Sequence, residues 1–336
     1  MKVGICIPNY NMEQYICSAI DSALHQVYDK CTIYILDNNS QDNSWDIIEK
    51  YANKFDNIKI FRNDYTISME ENWNKVLRLA KNEDFVNILS SDDKLHPTYI
   101  NECIKIFEKF RHLGYVYTER RNVVDGNISL SPFFYSHTGI IPKNEEFLVN
   151  IKGFHTAPCQ LLINNDALKQ VNYLSTEYGI VSDMHLTLKL NSKFDVGYIK
   201  EKLVDYSLSS GMSNSFDTNK LMVMQFYRLK KNILDNHLPI EFTDDLDTLH
   251  NYNKIFCSKF CISKCKQLII QENSDEVKNF FLLSMFFDNR VTNTELFNYI
   301  LSNNEYCIKD FEEKIKDKYS FSSLPYALPN QSIILE

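Results

Sequence analysis

The stretch Asn87-Ile88-Leu89-Ser90-Ser91-Asp92-Asp93-Lys94 sets two adjacent carboxylates directly after an apolar run that reads as a buried strand. Like charges at the mouth of an enclosed site repel each other and lose solvation, so they call for compensation. Hard oxygen ligands suit Mg2+ or Mn2+, and such a cation can bridge a diphosphate. A solvated turn is the plain alternative. Two further strand ends carry polar clusters, Asn9-Tyr10-Asn11 and Asp37-Asn38-Asn39-Ser40.

The elements that must position these residues alternate between two periods. Val3–Pro8, Thr32–Leu36, Ile58–Phe61 and Phe85–Leu89 are short apolar runs that predict strands covered on both faces. Between them Ile16, Ile20 and Leu24, and then Trp73, Val76, Leu77 and Ala80, recur at helical spacing. Ser68-Met69-Glu70-Glu71 has the form of a capping box at the start of the second helix. Strand and helix in this order predict a mostly parallel sheet whose ligands bind beyond the carboxyl ends of the strands, so the three polar clusters should share one crevice. The eight glycines form neither G-x-G-x-x-G nor G-x-x-x-x-G-K. That disfavours a nicotinamide oxidoreductase and a P-loop protein, and leaves a bound phosphate to be neutralised by a cation.

After Tyr115 the pattern turns to paired strands, with Asp125-Gly126 as a hairpin turn, a strand at Cys159–Ile163, a helix from Ser182, and strands at Phe194–Ile199 and Leu203–Leu208. Beyond Ser209-Ser210-Gly211 only helical periodicity remains. The expected domains are therefore 1–212, with a nucleotide-binding half (1–110) and an acceptor half (111–212), and a helical domain over 213–336.

The chain has 336 residues, 44% hydrophobic and 24% charged, which is an ordinary globular balance for about two domains. A net charge of -8, from 36 basic and 44 acidic residues, argues against nucleic acid as a partner. The opening Met1–Tyr10 lacks the pattern of a secretory signal, and no apolar run is long enough to span a bilayer. Nine cysteines in a chain that needs no staples fit a reducing compartment. Of these, Cys257, Cys261 and Cys265 lie four apart along one helical face, which suits core packing better than a zinc knuckle.

Pro8-Asn9-Tyr10-Asn11, Ser22–Tyr28, Tyr34–Ser44, Glu71–Ala80 and Ser90–Asp93, followed by Cys159–Val171 and Ser182–Leu190, resemble the ordered motifs of family 2 glycosyltransferases. The resemblance covers roughly residues 2–210. It implies a GT-A, Rossmann-like mixed α/β sheet flanked by helices, here followed by a C-terminal all-helical region. It also implies inverting, Mn2+- or Mg2+-dependent transfer of a hexosyl or N-acetylhexosaminyl group from a nucleotide sugar, UDP-linked by preference. The acceptor would be a glycan or lipid-linked glycan in capsule or lipopolysaccharide synthesis.

Carried over by residue, the resemblance sets a nucleotide base against Tyr10, within the Pro8–Asn11 motif, where stacking is worth roughly 1–3 kcal/mol. It puts Asn38 where the family has an acid reading the base, with Asp37 either lining the pocket or capping the next helix. Asp93 becomes the metal ligand, Asp92 an assisting ligand or ribose contact, and Asp183 the catalytic base. His155, Thr156 and Gln160 are expected on the acceptor side. The chain departs from the family at Ser90, Ser182 and Ser207, where acidic or basic residues are usual, so a catalytically impaired nucleotide-sugar-binding protein is the rival reading. The segment 209–215 is expected to cover the donor. The aromatic run Phe280–Phe287 predicts burial from more than one side, within the helical bundle, in a homodimer or at the membrane surface, in a cytoplasmic protein peripheral to the inner face.

Overall fold

The computed structural model of the chain describes residues 1–153, 155–208, 216–270, 274–288, 295–303, 306, 309–311 and 333–335. The expected donor cover at 209–215 lies outside them. The chain divides into two compact units, residues 1–150 with 154–211 and 324–336, and residues 151–153 with 212–323.

In the first unit the elements run β1 (Val3–Asn9), α1 (Ile16–Leu24), β2 (Cys31–Asp37), α2 (Ser44–Ala52), β3 (Ile58–Arg62), α3 (Met69–Leu79), β4 (Phe85–Ile88), β5 (Lys94–Leu95), α4 (Tyr99–Lys109), β6 (Tyr115–Val124), β7 (Asn127–Ser129), β8 (Gly139–Ile141), α5 (Lys143–Lys152), β9 (Leu161–Asn164), α6 (Asn165–Gln170), α7 (Ser182–Asn191) and β10 (Val196–Ser207). They build one mixed sheet in the order β11-β8-β10-β6-β9-β4-β1-β2-β3, where β11 is Ile333–Ile334. All of β1 is buried, as its unbroken apolar run requires of a central strand. Because β1 pairs in parallel with both β2 and β4, Asn9 and Asp37 end side by side, one strand away from the acids that follow β4.

The antiparallel strand β9 sits between β4 and β6, so β6 and β10 again run in the direction of β4. Their carboxyl ends therefore reach the same edge of the sheet. Two of the expected strands, at 194–199 and 203–208, are one strand, β10, with register shifts between Ile199 and Val204. The expected strand at Cys159–Ile163 starts later, because Pro158–Gln160 forms a single tight helical turn before β9. Asp125 and Gly126 both have positive φ, 48° and 80°, as a tight hairpin between β6 and β7 demands.

Two polar devices hold the frame near the crevice. The Ser68 hydroxyl accepts from Glu71 N while the Glu71 carboxylate accepts from Ser68 N, closing the capping box of α3. One turn later the buried Asn74 side chain bonds both backbone groups of Leu174, at 3.0 and 2.9 Å, tying α3 to the loop that leads into α7.

The second unit is built on helices α8 (Phe216–Asn236), α9 (Leu246–Ile270), α10 (Ser274–Phe287) and α11 (Glu295–Ser302). Cys257, Cys261 and Cys265 are buried on α9, with the Cys265 thiol against the Val277 carbonyl, which is core packing. On α10, Phe280, Phe281 and Phe287 are buried while Leu282 and Phe286 are 50% and 70% exposed. Among the described residues no helix is long and apolar enough to cross a membrane. The short strand β11, in a tail expected to be helical, pairs with β8 of the first unit.

Replacing Asn74 with Ala removes two hydrogen bonds and leaves the Leu174 backbone groups unanswered. The expected cost is about 2 kcal/mol, read as a lower denaturant midpoint at an unchanged slope.

Candidate active site

The nucleotide side of the crevice is organised by Asp37, which is fully buried. Its Oδ1 accepts from Asn9 Nδ2 at 2.9 Å and the Ser40 hydroxyl at 2.5 Å, and its Oδ2 accepts from Ser40 N at 2.9 Å. Arg62 Nε lies 3.3 Å from the same carboxylate, and Arg62 also donates to the Ser40 carbonyl. Asp37 is thus consumed in shaping its own loop. Ser40 Oγ in turn accepts from Asn11 N, and Asn11, at φ +51°, receives the Gln41 amide on its side chain. Pro8 is buried at the end of β1, its carbonyl accepting from the Ser91 hydroxyl at 3.0 Å. Tyr10 stays 43% exposed, as a ring that stacks on a ligand must be.

The Asn38 side chain is buried and bonded to the segment after β3. Its Oδ1 accepts from Asn63 Nδ2 and Ile67 N, and its Nδ2 donates to the Ile67 carbonyl at 2.9 Å. The amide thereby props the segment after β3. Beside it opens a cavity of about 670 Å³ whose lining includes Asn63, Tyr65, Glu71, Lys75 and Arg78. Lys75 Nζ donates to Asn63 Oδ1 at 2.6 Å.

Past β4 the two acids differ. Asp92 is partly exposed, whereas Asp93 is only 2% exposed. Ser207 N, at the end of β10, donates to Asp93 Oδ1 at 2.9 Å, and the buried Cys159 thiol also hydrogen-bonds this carboxylate. Burial, and next the charge of Asp92, push the Asp93 carboxyl up to about 7, against the opposing effects of those hydrogen bonds and of Arg120. Two adjacent carboxylates at a strand end, one of them deeply buried, are oxygen ligands of the kind a divalent cation takes. No group of three or more His, Cys, Asp or Glu side chains suited to a metal occurs among the described residues. The protein would therefore supply Asp93 and Asp92, and a ligand's oxygens and water the rest of the shell.

Asp183 lies in the first turn of α7. Its side chain keeps an open edge in a crowded surround, and desolvation pushes the carboxyl up to about 6 against the Met184 amide, which it accepts at 2.8 Å. Ser182, in place of the family's usual acid, is buried, with its hydroxyl within reach of the Ser175 and Gly179 carbonyls. Its role is to fix the start of the helix.

The three expected acceptor residues do not open into the crevice as a group. The His155 ring stacks on Phe134 at 3.8 Å, with Nε2 3.3 Å from Glu146 and 3.3 Å from the Tyr117 hydroxyl. Gln160 is buried and committed to Ala157 N, the Thr118 carbonyl and Arg120. Thr156 is buried too, its hydroxyl without a hydrogen-bond partner.

Sequence reasoning missed Arg120 and gave Tyr206 no role of its own. The Arg120 guanidinium lies 4.4 Å over the Tyr206 ring, and Tyr206 feels the charges of both Asp93 and Asp183. The signal available was the adjacent pair Arg120-Arg121 inside a run predicted to be a strand.

A Rossmann-like mixed sheet with paired acids after one strand, an open aromatic after another, and an acid in the first turn of a later helix has the GT-A arrangement of a glycosyltransferase. Residues 4–171, half of the sequence, match Glycosyl transferase family 2, and the chain belongs to that family. It is 34% identical over 134 residues to the UDP-Glc:alpha-D-GlcNAc-diphosphoundecaprenol beta-1,3-glucosyltransferase WfaP of Escherichia coli, a match that covers 39% of this chain and 52% of that protein. The chain spans between 13% and 52% of the length of the first curated relatives it matches. Its fold is similar to that of S. aureus TarS 1-349 in complex with UDP-GlcNAc, with a TM-score of 0.63 at 18% identity over 93% of this chain and 91% of that one. The mannosyltransferase PcManGT of Pyrobaculum calidifontis, in complex with GDP-Man and Mn2+, matches at a TM-score of 0.56 and 14% identity, over 95% and 88%.

Because the Asp93 carboxyl lies higher in the folded chain than unfolded, the folded chain keeps a proton that the unfolded chain releases between pH ~4 and ~7. Stability from this group is lost as pH rises through that window. Asp93→Asn is expected to be more stable than the parent at pH 8, by on the order of 2 kcal/mol, and level with it near pH 4, as followed by denaturation across pH.

Proposed function

We propose that this chain is a metal-dependent inverting glycosyltransferase. In this reading it moves a sugar from a nucleoside-diphosphate sugar, UDP-linked by preference, to a hydroxyl of a glycan or lipid-linked glycan in bacterial surface polysaccharide synthesis. The observation that carries the reading is the placement of Asp93 and Asp183 about Tyr206, each with a carboxyl raised toward neutrality. The ligands named for TarS and PcManGT, and the reaction named for WfaP, support the donor class.

Asp183 ionises near pH 6, so at neutral pH its carboxylate can take the proton of an acceptor hydroxyl. The freed oxygen attacks the anomeric carbon from the side opposite the diphosphate, and the bond to the diphosphate oxygen breaks. Tyr10 offers the stacking surface for the base, and the loops ordered by Asp37 and Asn38 hold that surface in place. Asp93, with Asp92 beside it, would hold Mn2+ or Mg2+, whose charge neutralises the departing diphosphate. The same reading puts the chain in the cytoplasm, working at the inner face of the membrane on a lipid-held acceptor. The exposed Leu282 and Phe286 on α10 support self-association or peripheral contact there.

The rival, a nucleotide-sugar binder without turnover, draws on Ser182 and Ser207, whose polar groups serve the fold. Turnover separates the two.

Asp183→Asn is expected to keep donor affinity and lose transfer by on the order of 10²–10⁴. In the parent, transfer should rise with pH through about 6 and level off above it, since the base must be unprotonated. Near-normal transfer by the variant, or a product with the donor's anomeric configuration, would refute this scheme.

In a thermal-shift panel, UDP with Mn2+ should raise the parent's midpoint and leave that of Asp93→Ala where it was. An equal Mn2+-dependent rise in both proteins would remove Asp93 from the metal site.

A further inference from the structure

The crevice holds a cation that the family motifs do not supply. Arg120 lies on β6 and is half-buried, with Nη1 donating to Gln160 Oε1 at 3.2 Å and its guanidinium carbon 4.4 Å from the centroid of the Tyr206 ring. Tyr206 immediately precedes Ser207, whose N–H anchors Asp93. The guanidinium is therefore fixed beside the paired acids by a neutral amide and an aromatic face.

Nearby arginines are placed differently. Arg121, the next residue, makes a two-pronged ion pair with Asp205 at 2.5 and 2.9 Å. Arg62 is paired with Asp37 at 3.3 Å. Among the described residues, no carboxylate lies within ion-pair distance of Arg120. A guanidinium offers five N–H donors in a planar fork, and Gln160 uses one of them. The cation–π contact with Tyr206 holds the guanidinium in place, and the donors that Gln160 does not use suit the planar, two-pronged grip that phosphate oxygens accept.

We infer that Arg120 binds the diphosphate of the donor, as a protein-borne positive charge standing where the chain carries Ser207 in place of the basic residue usual in its family. The inference rests on the reading of the chain as a nucleotide-sugar transferase and names a residue of that same site. Arg120 would share the leaving group's charge with any metal that Asp92 and Asp93 hold, and Gln160 and Tyr206 position its guanidinium. Gln160 is thus tied to the donor through Arg120 as well as to the acceptor-side backbone.

Calorimetry with uridine and with UDP, both in excess Mn2+, tests the assignment on the folded full chain. Arg120→Gln should weaken UDP on the order of tenfold to a hundredfold, the worth of charge-assisted hydrogen bonds, and leave uridine unchanged. Arg120→Lys, which keeps the charge and loses the fork, should recover part of that loss. It also serves as the readout if Arg120→Gln does not fold, because it must then bind UDP more weakly than the parent with uridine unaltered. An unchanged UDP affinity in a folded Arg120→Gln overturns the inference and leaves the transferase reading intact. Equal losses for uridine and UDP overturn it as well, since that is a structural collapse of the pocket. A loss confined to a donor with a carboxylate sugar, such as UDP-glucuronate, with UDP itself unaffected, would assign Arg120 to the sugar instead and overturn it too. A parent chain that binds neither UDP nor GDP removes the transferase reading together with the inference.

Discussion

A carboxylate taken out of water must be answered by hydrogen bonds or opposite charge, and Asp93 is where this chain concentrates that demand. The Ser207 amide, 114 residues further along, meets one oxygen, and the thiol of Cys159 bonds the same group. Each of these partners comes from a different segment, so the end of β10, the turn before β9 and the loop after β4 are fixed relative to one another by one side chain. A hydrogen bond to a charged group is worth about 1.5–3 kcal/mol. That does not cancel the cost of burial next to Asp92, since the carboxyl remains well above its ordinary range. A cation bound beside Asp93 would favour the ionised carboxylate that burial and the charge of Asp92 oppose.

The two sides of the crevice solve different problems. On the nucleotide side Asp37, Asn38, Ser40 and Asn63 bond one another and the backbone, and the outcome is a rigid loop with Tyr10 left open. Asn38 performs this duty without charge, which an acid beside the buried Asp37 would not do cheaply. On the transfer side the polar groups remain charged, and Tyr206 stands among Asp93, Asp183 and Arg120. Compared with the family pattern the chain resembles, acids have been exchanged for neutral residues at Ser90 and Ser182, and a basic residue at Ser207. Arg120 enters from β6 as a cation of different origin.

The segment around residue 155 shows how a histidine is built into an aromatic cluster. His155 sits against Phe134 with its Nε2 between Glu146 and Tyr117, in a cluster of buried aromatic hydroxyls that includes Tyr135 and Tyr198. Tyr135 donates to Glu146 and Tyr198 to Glu119, so each buried acid is bonded to a phenol, as a low-dielectric interior requires.

Much of this was legible in the sequence, since apolar runs of strand length alternating with helical spacing dictate a parallel sheet, and a parallel sheet dictates that strand-end residues meet. The capping box at Ser68, the hairpin at Asp125-Gly126 and the paired acids followed from local rules, because each depends on neighbours within a few residues. The family resemblance rested on the same ordered, local motifs. Partners remote in sequence were decided only by the tertiary structure. Asn38 and Asp37 were spent on internal bonds because residues 62–67 came back beside them, and Gln160 because Arg120 and Thr118 did. Ile333–Ile334 became a strand only because β8 offered an edge. Local pattern fixes which groups a chain presents, whereas burial and long-range pairing decide which of them are left free to meet a ligand.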